Sequence, residues 1–175
     1  MLPGFLNCGA ACLALASLGL GNLAAQEIRN GDFSQGLAEW KIDIPKEGKP
    51  VVAVSPDAAE GKPALKIVVG DSANLKPWKG NIQKTVNLPA AGSYTVTFLA
   101  RTEPGDATVI MNAVGSGADH PNLGSIMSPK VTEEWQEFTY NLTANAPDPE
   151  ATIIWRNLAV TGKTFYFANV RISKD

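Results

Sequence analysis

The sequence has few of the residues on which catalytic, redox and electrostatic functions depend. Both cysteines, Cys8 and Cys12, lie in the first 25 residues, so a chain that begins at residue 26 has neither disulfides nor a catalytic thiol. Lysine and arginine total 15 and aspartate and glutamate 17, which gives a formal net charge of −2. A balance so close to zero predicts no binding to nucleic acid or to an anionic membrane.

Residues 1–25 contain no charged side chain and are rich in alanine and leucine. This composition is typical of a secretory signal peptide, with cleavage near Ala24 or Ala25. A retained membrane anchor is the alternative, although glycine and alanine dilute the hydrophobicity that a span requires. We therefore expect a secreted, periplasmic or cell-surface protein with no membrane insertion after cleavage. Residues 26–175 suffice for a single domain with its own core.

Short β-rich segments recur at even spacing after residue 26, and no segment has a helical period. There are eight: KPVVAVS, PALKIVVG, GNIQKTVNL, SYTVTFLAR, ATVIMNAVG, EWQEFTYNL, ATIIWRNLAV and TFYFANVRI. Such strands between glycine, proline, asparagine and aspartate predict an all-β, antiparallel two-sheet sandwich or jelly roll. Alternation leaves the inner face of TFYFANVRI undecided. The segments 56–63 and 115–130 are predicted to be loops.

The acidic cluster Glu133, Glu134 and Glu137 does not have the spacing of a glycosidase pair. On one strand Glu133 and Glu137 would lie about 13 Å apart, at roughly 3.3 Å per residue. Carboxylate pairs in glycosidases are about 5–9.5 Å apart. The single histidine, His120, is predicted to lie in a loop without a nucleophile beside it. The sequence therefore predicts no enzymatic activity.

The segment NGDFSQGLAEW, with Trp40 at its end, resembles the start of the secreted carbohydrate-binding modules of families 4, 9 and 22. Further similar segments follow in order: GKPALKIVV, WKGNIQKTVNLPAAGSYTVTFLAR, EEWQEFTYNLT and TFYFANVRI. The resemblance implies a galactose-binding-like sandwich that binds polysaccharide or oligosaccharide on one sheet face. It also implies that the opening segment is a strand, that Phe33 and Trp40 are buried, and that Trp135 is structural. Alternation along ATIIWRNLAV predicts that Trp155 is buried as well.

A polar sheet face near Trp78 is the candidate site for the sugar. Aromatic rings stack on sugar faces, and amide, hydroxyl and guanidinium groups form directional hydrogen bonds. Trp78 precedes a strand on which Asn81 and Gln83 alternate with apolar residues. The predicted carbohydrate-binding residues are Trp78, Asn81, Gln83, Thr97, Arg101, Asn112 and Arg156. The alternatives are simple solvent exposure of the polar groups and packing of Trp78 against a loop.

The resemblance also implies a structural calcium ion, for which this sequence lacks carboxylates. Ser34 stands where the opening motif commonly has glutamate, and Ala168 and Asn169 stand where the closing motif has two aspartates. Calcium prefers several oxygen ligands, usually including carboxylates. Asp32 and backbone carbonyls could still contribute. We therefore expect no cofactor, with calcium as the open alternative.

A second function class remains open, namely a β-sandwich that contacts a protein partner or serves as a structural subunit at the cell surface. Leu99 and Ile154 fall at outward positions where polar groups are expected in chain-binding modules. An exposed apolar patch around these two residues would favour the protein-contact function. A groove lined by Trp78, Gln83 and Arg101 would favour sugar binding.

Overall fold

A computed structural model describes residues 28–59 and 61–175, so the predicted signal peptide lies outside the described residues. Eleven strands are seen: β1 Trp40–Asp43, β2 Val51–Ala59, β3 Lys62–Val68, β4 Asn81–Leu88, β5 Gly92–Glu103, β6 Ala107–Thr108, β7 Ile110–Val114, β8 Lys130–Val131, β9 Gln136–Ala144, β10 Asp148–Arg156 and β11 Thr164–Lys174. Two short 3-10 helices cover Lys46–Gly48 and Pro77–Lys79. None of the described helices is long and apolar enough to cross a membrane.

The strands form two main antiparallel sheets, which confirms the predicted β-sandwich. One sheet has the order β1-β4-β10-β7, and the other has the order β2-β3-β11-β5-β9. The short strands β6 and β8 pair with each other outside these sheets. Each of the eight predicted segments overlaps a strand of the structure.

Trp155 lies at the centre of the core between the sheets and is fully buried. Its ring meets Phe98 edge-on at 5.6 Å and lies 5.8 Å from Trp40, measured between ring centroids. Phe33 stacks on Trp40 at 4.8 Å, and both are buried. The buried positions expected for Phe33, Trp40 and Trp155 are confirmed. Stacked and edge-on pairs each add about 0.5–1.5 kcal/mol beyond the burial of their area.

The opening segment is a series of turns rather than the expected strand, and regular pairing begins only at Trp40. The Asn30 side chain organises these turns: its amide donates to the carbonyls of Gly36 and Ala38, and its oxygen accepts from the Gln35 N–H. Trp40 Nε1 donates to the Asn30 carbonyl over 2.9 Å. Because the Asn30 side chain forms hydrogen bonds with backbone groups of these turns, those groups do not need a neighbouring strand as their partner.

Glycine is required in this opening turn at Gly31, which lies against the closing strand. A Cβ at Gly31 would stand 2.0 Å from the Val170 carbonyl oxygen. The Val170 N–H in turn donates to the Gly31 carbonyl over 2.9 Å. The two ends of the domain are therefore joined by direct backbone contact.

A β-bulge in β11 explains why alternation left its inner face undecided. Phe165 and Phe167 face the core, but the register with β5 shifts between Ala168 and Arg171. Asn169 has a φ of 52° within this shift. Beyond it Val170 and Ile172 take the inner positions. One extra residue moves the apolar set to the other parity, as a bulge does.

The two predicted loops have more regular structure than expected. Segment 56–63 is the end of the β2–β3 hairpin, whose pairing extends to Ala59 and Lys62. Segment 115–130 returns along β7 through single bridges, Met111 to Met127 and Val114 to Asn122. It therefore covers the free edge of the four-stranded sheet.

Candidate functional site

A cavity of about 350 Å³ opens on the outer face of the four-stranded sheet, which we call the Trp78 face. Residues from β1, β4, β10 and the 3-10 helix Pro77–Lys79 surround it. They are Asp43, Pro45, Trp78, Lys79, Asn81, Gln83, Ile154 and Arg156. Four of the seven predicted site residues therefore meet at one place: Trp78, Asn81, Gln83 and Arg156.

Trp78 is held above the sheet by a turn that is tied to the chain after β10. The Ala159 N–H donates to the Pro77 carbonyl over 3.2 Å, and the Leu158 N–H donates to the Gly80 carbonyl over 3.1 Å. This contact leaves no room for a side chain at Gly80, where a Cβ would stand 2.4 Å from the Ala159 nitrogen. The backbone of the turn is thus fixed while its tryptophan points outward.

The Trp78 side chain is 63% exposed, so the alternative in which it packs against a loop does not hold. Nζ of Lys76 lies 5.8 Å from the centre of the Trp78 ring, in the range of a cation–π contact. An exposed indole beside a cavity is a surface on which an apolar ring face can be buried.

Three polar side chains form a row across β1, β4 and β10 below Trp78. Asp43 pairs with Asn81, and Asn81 pairs with Arg156. The Gln83 amide donates to the Asn81 side-chain oxygen over 2.7 Å, which orients both amides. The carboxylate of Asp43 and the guanidinium of Arg156 have no hydrogen-bond partner among the described residues. Both remain available to a ligand.

The next row on this face runs from Lys41 through Gln83 and Ile154 to Asn112. Ile154 forms the floor of the cavity and is 7% exposed. Asn112 is 6% exposed and lies one strand beyond Ile154, outside the cavity lining. Asn112 thus shares the predicted face and stands at its far end.

Thr97 and Arg101 do not belong to this face, which corrects the expectation of one polar face with all seven residues. Both lie on β5, at outward positions of the five-stranded sheet. The apolar core separates them from Trp78 and Arg156. The expected groove of Trp78, Gln83 and Arg101 is therefore replaced by one in which Arg156 supplies the guanidinium.

Arg101 is instead the centre of a self-contained cluster on the outer face of the five-stranded sheet, which we call the Arg101 face. Its guanidinium lies 3.9 Å from the centre of the Tyr166 ring and 5.6 Å from that of Trp135. Arg101 also forms a 2.7 Å ion pair with Glu103. Trp135 packs against the small buried cluster that contains Leu99, in agreement with its predicted structural role.

Glu103 completes this cluster by accepting two hydrogen bonds. The hydroxyl of Tyr166 donates to Glu103 over 2.6 Å, and Arg101 donates to its other oxygen. These bonds, first from Tyr166 and then from Arg101, lower the pKa of Glu103. Burial, followed by the hydrogen bond to Glu103, raises the pKa of Tyr166. The polar groups of the Arg101 face are largely used within the protein.

Leu99 and Ile154 do not form the exposed patch that would favour a protein-contact function. Ile154 lies on the Trp78 face and Leu99 on the Arg101 face, and neither is more than 9% exposed. Leu99 packs with Ala59, Ala64 and Ala168. The two side chains are therefore buried on opposite sides of the sandwich.

Sequence reasoning missed two charged residues of the cavity, Asp43 and Lys79. Asp43 was overlooked because β1 has only four residues and was not predicted as a strand of its own. Lys79 follows Trp78 directly in the motif KPWKGN, and this adjacency is the sequence signal that could have placed it at the site. Both residues bring charge to a site for which the prediction offered two arginines, Arg101 and Arg156, of which only Arg156 lines the cavity.

At the positions where a calcium ion was considered, Asp32 is engaged by its own turn. Its carboxylate accepts from the Ser34 N–H and hydroxyl, which lower the pKa of Asp32. In the described part of the chain, no three His, Cys, Asp or Glu side chains are grouped so that they could hold a metal ion. His120 is exposed, and its Nδ1 lies 3.4 Å from the Gly115 carbonyl oxygen.

Comparison with solved structures shows the fold of carbohydrate-binding modules. A family 4 module matches with a TM-score of 0.65 and 20% identity, over 85% of this chain and 99% of the module. A family 16 module matches with a TM-score of 0.56 and 20% identity, over 83% and 97%.

The CBM22-1 xylan-binding domain from Paenibacillus barcinonensis matches with a TM-score of 0.52 and 10% identity, over 77% of this chain and 85% of that domain. No protein-family model and no curated protein matches the sequence. Other matched structures hold such a module as part of an enzyme. The fold that the opening motif implied is confirmed: the chain is a β-sandwich of the carbohydrate-binding-module type.

Proposed function

We propose that the protein is an exported, non-catalytic module that binds a polysaccharide or oligosaccharide on the Trp78 face. The observation that carries this proposal is the outward indole of Trp78 above a cavity in which Asp43 and Arg156 have no hydrogen-bond partner among the described residues. Ring stacking supplies apolar burial, and Asn81, Gln83 and Arg156 supply directional hydrogen bonds.

The charge-free leader supports export, and its removal would leave a chain that starts near residue 26. Intact Met1 in the exported protein would refute this part. The spacing of Glu133, Glu134 and Glu137, which does not fit a glycosidase carboxylate pair, supports binding without turnover. Reducing-end assays on incubated polysaccharide should therefore detect no new chain ends.

Calorimetric titration with soluble β-glucan, xylan and mannan tests the site. One indole stacked on one sugar ring contributes about 1–2 kcal/mol, so Trp78→Ala should weaken binding roughly 5- to 30-fold while the melting temperature stays unchanged. Val51→Ala is the matched control, because Val51 is also exposed, at 59%, and belongs to the other sheet.

Equal affinity of the wild type and Trp78→Ala would remove Trp78 from the site. Failure of the wild type to bind any glycan in a broad panel, together with capture of a specific protein partner, would favour the protein-contact function instead.

A further inference from the structure

The Trp78 face carries an excess of positive charge. Lys79 and Arg156 line the cavity, and Lys76 lies over the Trp78 ring. Lys41 points outward from β1 in the row that contains Gln83. Among the described residues that line the cavity, Asp43 is the single carboxylate. The cavity lining therefore holds two cations and one anion, and Lys76 and Lys41 add two further cations on the same face, in a protein whose formal net charge is −2.

The four cations are not neutralised within the described part of the chain. The three ion pairs found there lie elsewhere, at Glu39, Glu103 and Asp106. The adjoining 3-10 helix Lys46–Gly48 adds one lysine and one glutamate, whose charges cancel. Like charges held on one surface repel one another and create a positive potential, which an anionic ligand would relieve.

Arg156 and Asp43 are far enough apart to bind different groups of one ligand. Asn81 pairs with both from the strand between them. At about 4.8 Å per strand, the backbones of Asp43 and Arg156 are about 10 Å apart. The planar guanidinium donates two parallel hydrogen bonds to a carboxylate, which a lysine ammonium cannot do. Asp43 is suited to accept from sugar hydroxyl groups.

We propose that the ligand of the Trp78 face is an acidic polysaccharide. A sugar ring stacks on Trp78, and a negatively charged substituent on the same or the next sugar accepts hydrogen bonds from Arg156. Lys79 and Lys76 add to the attraction. This inference rests on the proposed function and narrows it to a class of glycan. Uronate carboxylates and sulfate esters share the required charge, and the experiment below distinguishes them.

Titration with polysaccharide pairs that differ in charge tests this inference. Polygalacturonate is compared with its methyl ester, glucuronoxylan with the carboxyl-reduced polymer, and dextran sulfate with dextran. We expect the wild type to bind at least one charged member about tenfold more tightly than its neutral counterpart. A preference for the charged member in the uronate pairs alone identifies carboxylate as the recognised group. A preference for dextran sulfate over dextran alone identifies sulfate.

Arg156→Gln should lower affinity for the charged polymer roughly tenfold and make its salt dependence shallower. Lys174→Gln is the matched control: it removes the same charge from β11, in the other sheet, and should change affinity little. Equal loss in both variants would indicate attraction by overall charge and would overturn the inference.

The remaining outcomes separate the inference from the proposed function. Neutral members bound as tightly as charged ones, in a Trp78-dependent way, would overturn the acidic class and leave the proposed function intact. Absence of binding to every neutral and charged polymer would overturn both.

Discussion

The two outer faces of the sandwich carry similar side chains in opposite states. Each has a tryptophan and an arginine, namely Trp78 with Arg156 and Trp135 with Arg101. On the Arg101 face the arginine lies against the Tyr166 ring, near the Trp135 ring, and pairs with Glu103. On the Trp78 face the indole is 63% exposed and the guanidinium has no protein partner in the described chain.

The difference indicates which face is built for a ligand. Groups on the Arg101 face already have the partners that stabilise them, so a ligand would have to displace internal hydrogen bonds before it formed new ones. On the Trp78 face, Asp43 and Arg156 have no hydrogen-bond partner among the described residues, so a ligand that binds them breaks no internal hydrogen bond of theirs. Residue type therefore does not distinguish the faces, whereas the presence of internal partners does.

Gly80→Ala should have the largest effect and should damage the Trp78 face. The new Cβ would stand 2.4 Å from the Ala159 nitrogen, so the turn must leave the chain after β10. We expect about 2–3 kcal/mol of lost stability by thermal unfolding, since backbone cannot move aside as a side chain can. Glycan affinity should fall in the fraction that still folds.

Gly117→Ala is the control for this substitution. Its Cβ would meet only Pro121, at 3.8 Å, which is an ordinary contact. Its free energy of unfolding should lie within about 0.5 kcal/mol of the wild-type value. Equal destabilisation of both variants would show that loss of glycine, rather than the close contact at Gly80, is responsible.

Trp135→Ala should lower stability and leave glycan affinity unchanged, whereas Trp78→Ala should lower glycan affinity and leave stability unchanged. It removes the ring that packs on the small buried cluster that contains Leu99 and contacts Arg101. Because Trp135 is half-buried, we expect a loss of about 1–2 kcal/mol, below that of a fully buried tryptophan. Glycan affinity, measured by calorimetry on the folded protein, should not change. A drop in affinity as large as that of Trp78→Ala would mean that the Arg101 face takes part in binding.

The smallest expected effect is the pH dependence of stability that Glu103 contributes on the Arg101 face. The pKa of Glu103 lies below its ordinary value of 4.5, through hydrogen bonds from Tyr166 and then Arg101. The contribution to stability is therefore complete above about pH 4.5 and is lost as the pH falls through the lowered pKa. Because the carboxylate is partly exposed, the contribution is a few tenths of a kcal/mol.

Melting temperatures of the wild type and Glu103→Gln should accordingly differ slightly near pH 6 and converge near pH 3. A difference that grows as the pH falls would contradict the assigned bonds.

Most strands of the two sheets were predictable from the sequence, β1 excepted, whereas the assembly of the site was not. Alternation correctly placed Thr97 and Arg101 at outward positions of β5, where the structure buries Tyr94 and Phe98 on the opposite face. It cannot tell which of two sheets a strand joins, because that depends on pairing between residues far apart in the chain. For this reason Arg101 was assigned to the same face as Arg156.

Two local features also escaped prediction, for physical reasons. The bulge near Asn169 changes the parity of β11 by one residue, and no composition signal marks it. The exposure of Trp78 depends on backbone contacts between its turn and Ala159, which are not local in sequence. The motif KPWKGN nevertheless indicated that an aromatic ring stands at the start of β4.

The most direct test of the central claim follows the four tryptophan indoles by NMR while a bound polysaccharide is titrated in. Trp40 and Trp155 are buried, and Trp78 and Trp135 report on the two outer faces. The predicted result is a progressive shift of the Trp78 indole Nε1–H resonance and of backbone amides from Asn81 to Gln83, with Trp135 unchanged. A shift of Trp135 with Trp78 unchanged would contradict the claim.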